Sequence, residues 1–132
     1  MDFAPFDKRG YRNVSVRTGY TEWASQYEAT VASGLDRRLL ERLLSPQWPK
    51  LSPAADLACG TGRTAIWLAD RGVRHIDGLD ITWEMLQIAR TKNIYRHLHI
   101  AEVSATGLRS SHYNLCTMVL ADEHLIELTP VY

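Results

Sequence analysis

The glycine turn Cys59-Gly60-Thr61-Gly62 constrains this chain more than any other segment. Before it, Ala54-Ala55-Asp56-Leu57-Ala58 reads as a short buried strand. After it, residues 64–71 carry Ile66, Trp67, Leu68 and Ala69 and read as a helix, with Gly72 at its C-terminal cap. Gly60 and Gly62 admit backbone conformations that side chains forbid, and they let a ligand approach the main chain closely. The free N–H groups that open the next helix favour an anionic or strongly polar group. Residues 73–80 follow as a second strand that ends on Asp80. Thr82 is then placed as the N-cap of a helix through Met85, Leu86, Ile88 and Ala89 to about Lys92. Residues 98–101 and 113–120 complete the set as third and fourth strands.

Strands that alternate with helices predict a parallel sheet. The expected architecture is therefore α/β, a Rossmann-like, doubly wound parallel sheet of about four strands with helices on both faces. Residues 20–44 precede it with a helical pattern broken at Gly34. Trp23, Ala24, Tyr27 and Val31 mark one stripe, and Leu35, Leu39, Leu40, Leu43 and Leu44 mark a second. Asp36, Arg37, Arg38, Glu41 and Arg42 are expected on the wet side of that second stripe. Residues 1–16 read as an irregular arm, residues 17–132 as one domain, and residues 45–53 as a proline-rich connector.

Composition narrows the function more by exclusion than by assignment. Fifteen basic and fifteen acidic residues cancel, so no global charge favours nucleic acid or an anionic membrane. Two cysteines, Cys59 and Cys116, cannot build a disulfide framework and match no metal spacing, which points to a reducing cytoplasm. The histidines at 75, 97, 99 and 112 share no metal-ligand spacing on one predicted element, so no metal is expected. No apolar run approaches the length that spans a bilayer, and the first residues lack the order of a signal peptide.

In a parallel sheet, adjacent strand ends open into one crevice where ligands collect. A carboxylate at Asp80 can accept hydrogen bonds from both hydroxyls of a ribose, so the turn and Asp80 together suggest a nucleoside-bearing cofactor. Gly60-Thr61-Gly62-Arg63-Thr64-Ala65 also satisfies the G-x-G-x-x-G/A dinucleotide fingerprint. Asp56, late in the first strand, argues against a pyrophosphate and for a cofactor with a cationic amino group.

The run Asp56-Leu57-Ala58-Cys59-Gly60-Thr61-Gly62 resembles the first motif of class I S-adenosylmethionine-dependent methyltransferases, with Ala58 in place of the first glycine. Gly78-Leu79-Asp80-Ile81-Thr82-Trp83-Glu84-Met85-Leu86 is similar to the family's second motif, G-x-D-x-S-x-x-M-L. Residues 20–28, Y-T-E-W-A-S-Q-Y-E, resemble its N-terminal helix, Ile100-Ala101-Glu102-Val103 its x-G-D-A segment, and residues 113–120 its fourth strand. The resemblance implies S-adenosyl-L-methionine as cofactor and S-adenosyl-L-homocysteine as product. It implies that Asp56, Ala58, Gly60 and Gly62 hold the methionine part, with Asp80 on the ribose. Ile81 would pack on the adenine, while Glu102 and the Val103 N–H would read its edge, under a lid bearing Tyr20 and Tyr27.

Each assignment has a structural alternative. A strand-end carboxylate can bond loop N–H groups, the Trp23/Tyr27 stripe can be helix packing, and Cys59 and Trp67 read as core. His124, in Asp122-Glu123-His124 after the fourth strand, is the one candidate to take a proton from a hydroxyl acceptor. The alternative there is a solvated helix start capped by Asp122. Leu120-Ala121-Asp122-Glu123 does not match the N/D-P-P-Y/F motif of amino-group and adenine methyltransferases.

The resemblance implies a seven-stranded fold, of which this chain supplies about four strands. The expectation is a fragment, a truncated homologue that dimerises through its fourth strand, or a chain completed by a partner. The functional expectation is methyl transfer to a small-molecule acceptor. A cofactor-binding module without turnover is the second reading, and a nicotinamide enzyme is a distant third.

Overall fold

The computed structural model describes residues 12–31, 34–43 and 47–131. Most of the N-terminal arm, Leu44 and the start of the proline-rich connector lie outside that set. Ten elements follow in order, four of them α-helices and four of them strands. Helix α1 spans Val16–Thr30 and α2 Leu35–Leu40. Strand β1 (Ala54–Leu57) leads to α3 (Arg63–Asp70), β2 (Ile76–Asp80), α4 (Trp83–Thr91), β3 (Tyr95–Ile100) and β4 (Leu115–Met118). Short 3-10 turns occupy Trp48–Leu51 and Asp122–His124.

The strands form one parallel sheet in the order β3-β2-β1-β4. The chain thus runs outward from β1 to β3, then returns across β1 to place β4 on its other side. That reversal opens a crevice at the carboxyl ends of β1 and β4, where a doubly wound fold collects ligands.

Both inner strands are buried throughout. Ala54 and Ile76 pack with Ala65, Trp67, Leu68 and Val73 on the helical face. Ala55, Leu57 and Leu79 face the other way, against Val103, Leu108, Tyr113, Met118 and Val131. Helices are expected on both faces; among the described residues α3 packs the first, and the long connection from β3 to β4 packs the second.

Several boundaries shift for local reasons. His75 adopts φ +56, which breaks the extended chain, so β2 begins at Ile76 rather than Val73. Strand β3 begins earlier than the apolar pattern indicates, at Tyr95, because buried partners satisfy its polar residues. A register shift beside Ile76/Asp77 brings two consecutive residues, Arg96 and His97, onto the Asp77 carboxylate. Tyr113 Oη donates to the same group at 2.8 Å, tying the β3–β4 connection to the sheet.

The leucine stripe of α2 is a correction. Among the described residues of the stripe only Leu40 is buried; Leu35, Leu39 and Leu43 are exposed, and Asp36, expected on the wet side, is buried. Its carboxylate is held by Arg63 through Nε at 2.5 Å and Nη2 at 2.9 Å. A single turn-and-a-half helix has one narrow face to bury, and here that face includes the ion pair.

Candidate functional site

The turn after β1 is built on three alternate left-handed positions: Ala58 at φ +50, Gly60 at +53 and Gly62 at +88. At Gly62 a Cβ would stand 3.0 Å from the Tyr95 ring, so both backbone and space require glycine. Gly78 in β2 is equally constrained, because a Cβ there would come within 2.6 Å of the same ring. Tyr95 thus wedges between sheet and helices and sets how closely they approach.

The turn, the ends of β2, β3 and β4, and α1 enclose a cavity of about 480 Å³. That volume falls within the roughly 300–1,000 Å³ of small-molecule sites. Of the residues singled out from the sequence, Tyr20, Tyr27, Ala58, Gly60, Asp80, Ile81, Glu102, Val103 and His124 all line it. Asp80 is 8% exposed, and its two oxygens accept from the Gly60 and Thr82 backbone N–H groups, each at 2.8 Å. These bonds fix the carboxylate without exhausting it, since each oxygen has a second lone pair. The Thr82 side chain does not cap α4; its hydroxyl is buried in the cavity wall and finds no partner among the described residues.

Asp56 and Gly62 do not line the cavity. Asp56 is 1% exposed and faces the sheet–helix core, where it accepts from Tyr95 Oη at 2.7 Å and Thr117 Oγ1 at 2.8 Å. Burial pushes its carboxyl up to about 6, against the pull of those two hydrogen bonds, and the Asp80 charge adds to the rise. The side chain expected on the methionine part thus points into the core rather than into the cavity, engaged by Tyr95 from the distant strand β3. Cys59 is a buried core thiol, pushed up by burial and by the charges of Asp56 and Asp80. Trp67 is core as well, edge-on to Trp48 at 4.9 Å and beneath the Arg71 guanidinium.

Sequence reasoning missed the Arg63–Asp36 pair, which lines the cavity at the start of α3. The arginine stood inside the glycine motif, but its partner lies 27 positions earlier on another helix. Across the cavity, α1 presents Tyr20, Trp23 and Tyr27 as one aromatic cluster, with ring centroids 4.9–6.1 Å apart. Ser15 caps this helix by accepting from Thr18 N at 3.2 Å. Thr21–Glu84 at 3.1 Å and Lys92–Glu28 at 2.6 Å bind it to α4. Tyr20 Oη also meets His124 Nε2 at 2.9 Å, joining α1 to the turn after β4. That turn is a 3-10 turn with Ala121, not Asp122, in the cap position.

Among the described residues no group of three or more His, Cys, Asp or Glu side chains could hold a metal. No helix there is long and apolar enough to cross a membrane.

A parallel α/β domain with a strand-end carboxylate over a glycine turn defines the nucleoside-binding class of Rossmann-like proteins. The methyltransferase-domain family model matches residues 54–129, more than half of the chain, and the chain belongs to that family. Comparison with proteins of curated function returns no match. Among solved structures, a Listeria monocytogenes protein assigned as an S-adenosylmethionine-dependent methyltransferase is 24% identical. The alignment covers 64% of this chain and 39% of that one, with a TM-score of 0.52. A Haloferax volcanii protein assigned as a methyltransferase, in complex with its activator Trm112, is 20% identical over 77% and 46%, with a TM-score of 0.63. DhpI, in its complex with SAM and HEP, is 23% identical over 70% and 46%, with a TM-score of 0.51. At these identities the likeness is one of fold, and the chain spans less than half the length of each.

Proposed function

We propose that this chain forms the cofactor half of an S-adenosylmethionine-dependent methyltransferase that acts on a small molecule. The observation that carries the reading is the fixed Asp80 carboxylate in the wall of a cavity floored by the glycine turn. The lining suits the group: an acceptor pair for vicinal hydroxyls, an unpartnered Thr82 hydroxyl, and an acidic surround for a sulfonium.

In this reading Asp80 holds the ribose, Ile81 covers one side of the adenine, and Glu102 with the Val103 N–H meets its edge. The main chain from Ala58 to Gly60 lies along the methionine part. Arg63 and Asp36 offer a cation and an anion side by side, which suits a zwitterionic amino acid. Tyr20 and Tyr27 close the mouth and exclude water. S-adenosylmethionine, when bound, supplies an electrophilic methyl group on a sulfonium, so the protein's main task is to orient the acceptor.

Two further parts of the reading concern the whole protein. The outer edge of β4 has no paired strand among the described residues, and a second copy or a partner strand covering it is proposed. Two free thiols and balanced charge fit a cytoplasmic protein without affinity for nucleic acid. Titration calorimetry with S-adenosylhomocysteine and with NADH tests the cofactor assignment. S-adenosylhomocysteine is expected to bind, NADH is not, and Asp80→Ala should weaken binding by about tenfold or more, the worth of hydrogen bonds to a charged group. Tight NADH binding without S-adenosylhomocysteine binding would overturn the reading.

A further inference from the structure

Resting on that reading, we propose that Tyr20 and His124 form a proton relay for a small, neutral acceptor with a weakly acidic hydroxyl, such as a phenol or enol, and that this oxygen is methylated.

The two side chains come from residues 104 positions apart, yet Tyr20 Oη and His124 Nε2 are 2.9 Å from each other. Their rings stand edge to face at 5.4 Å, and both line the cavity. His124 follows β4, on the side of the crevice away from Asp80's strand β2. The apolar part of the lining includes Val16 on α1, Val119 after β4, and Leu125, Ile126 and Pro130 from the segment that carries His124, with Glu127 beside them. An acceptor body without charge fits that wall.

The charges of the lining narrow the choice further. Among the described residues, Asp36, Asp80, Glu102 and Glu127 face the cavity against Arg63 alone, and Arg63 is already paired with Asp36. An anionic acceptor is repelled by the remaining carboxylates. An alkylammonium is attracted, but the same field keeps its proton in place and its lone pair blocked. A neutral hydroxyl is not repelled on entry, but the same field opposes its ionisation, so such an acceptor requires a base within reach and the positive charge of the sulfonium beside it.

The relay supplies that base. The acceptor's O–H bond breaks and its proton moves to Tyr20 Oη, while Tyr20's own proton passes to His124 Nε2. The acceptor oxygen keeps the bonding pair and uses it to take the methyl group, and the pair of the broken S–C bond stays on sulfur. His124, whose side chain is 35% exposed, returns the proton to solvent. Tyr20 alone is a poor base reservoir, because burial and the nearby Tyr27, Glu123 and Asp80 oppose its ionisation. Those residues, with Glu123 Oε1 at 3.9 Å from His124 Nε2, are the titratable groups that face the pair. Tyr20 is thus the group that touches the acceptor, and His124 acts through it.

The test uses the full chain loaded with sinefungin, whose amine carries the positive charge of the sulfonium, and 4-nitrophenol, whose ionised form absorbs visible light. Calorimetry first establishes sinefungin binding; its failure would remove the cofactor reading itself. With sinefungin bound, 4-nitrophenol is expected to bind and to show a ratio of ionised to neutral form raised about tenfold over free dye at the same pH, one unit of pKa. His124→Asn and Tyr20→Phe, both at partly exposed positions, should each return that ratio to the free value, and benzoate should not compete. A dye that stays out, that binds without ionising, or that ionises equally in both variants would overturn the relay. Benzoate binding as tightly as the phenol would overturn the acceptor class.

Discussion

Two carboxylates stand at or near the ends of the inner strands, and their surroundings send them to different work. Asp80 is held by backbone N–H groups at the cavity wall, whereas Asp56 is sealed beneath Tyr95 and Thr117. The difference is measurable as a pH dependence. Burial holds the folded Asp56 carboxyl at about 6, above its ordinary value, so folding favours its protonated form. Its contribution to stability is full below about pH 4 and is lost as pH rises through 6. Asp56→Asn removes the titration and keeps the shape. Urea unfolding should show the variant gaining on the wild type between pH 4 and 7, by about 2–3 kcal/mol at most. A constant difference across that range would contradict the burial argument. Ala58 offers a second test at this scale, because it holds φ +50 where the family's motif has glycine. Relief of that left-handed strain exceeds the entropy that glycine adds to the unfolded chain, so Ala58→Gly should stabilise by about 0.5–1 kcal/mol in the same assay. Asp80, the glycine turn and Ile81 were legible because each sits in a contiguous motif. The loss of Asp56 to the core was not, because Tyr95 reaches it from 39 positions away.

The elements read well where a pattern is local. Strand β1, α3 and α4 lie within a residue of the bounds their patterns predict, whereas α1 begins at Val16, ahead of the helical pattern expected from residue 20. The structure departs from the sequence pattern where partners from elsewhere overrule the apolar count. Arg96 and His97 extend β3 because Asp77 is buried opposite them, and Asp36 turns α2 inward because Arg63 waits there. The Asp77 cluster is what holds the β3–β4 connection on the second sheet face. Burial alone would push its carboxyl up, but hydrogen bonds from Arg96, Tyr113 and His97 outweigh it and hold the group at about 2. The sign is opposite to that of Asp56: its stabilisation is full above the ordinary carboxyl range and is lost as pH falls toward 2. Asp77→Asn should therefore cost about 2 kcal/mol at pH 7, with the cost shrinking under acid. Equal stability of variant and wild type at pH 7, by thermal or urea unfolding, would show the cluster to be ornamental.

At the scale of the whole molecule, the sheet order β3-β2-β1-β4 puts the cavity at its point of reversal and leaves β4 at an edge. The alternation of strands and helices in the sequence indicates a parallel sheet, but neither its strand order nor which side chains cover the second face. If a second copy pairs with β4, sedimentation should report twice the mass of the chain, and a proline at Cys116, exposed in that strand, should return it to one. A mass of one chain at all concentrations would contradict self-pairing. The central claim is that the crevice binds the nucleoside of S-adenosylmethionine through Asp80, Ile81, Glu102 and Val103. A crystal structure with S-adenosylhomocysteine soaked in tests it most directly. The ribose hydroxyls on the Asp80 carboxylate and the adenine between Ile81 and Glu102 are the expected result; a nucleoside lying elsewhere, or an Asp80 that touches only Gly60 and Thr82, would contradict it.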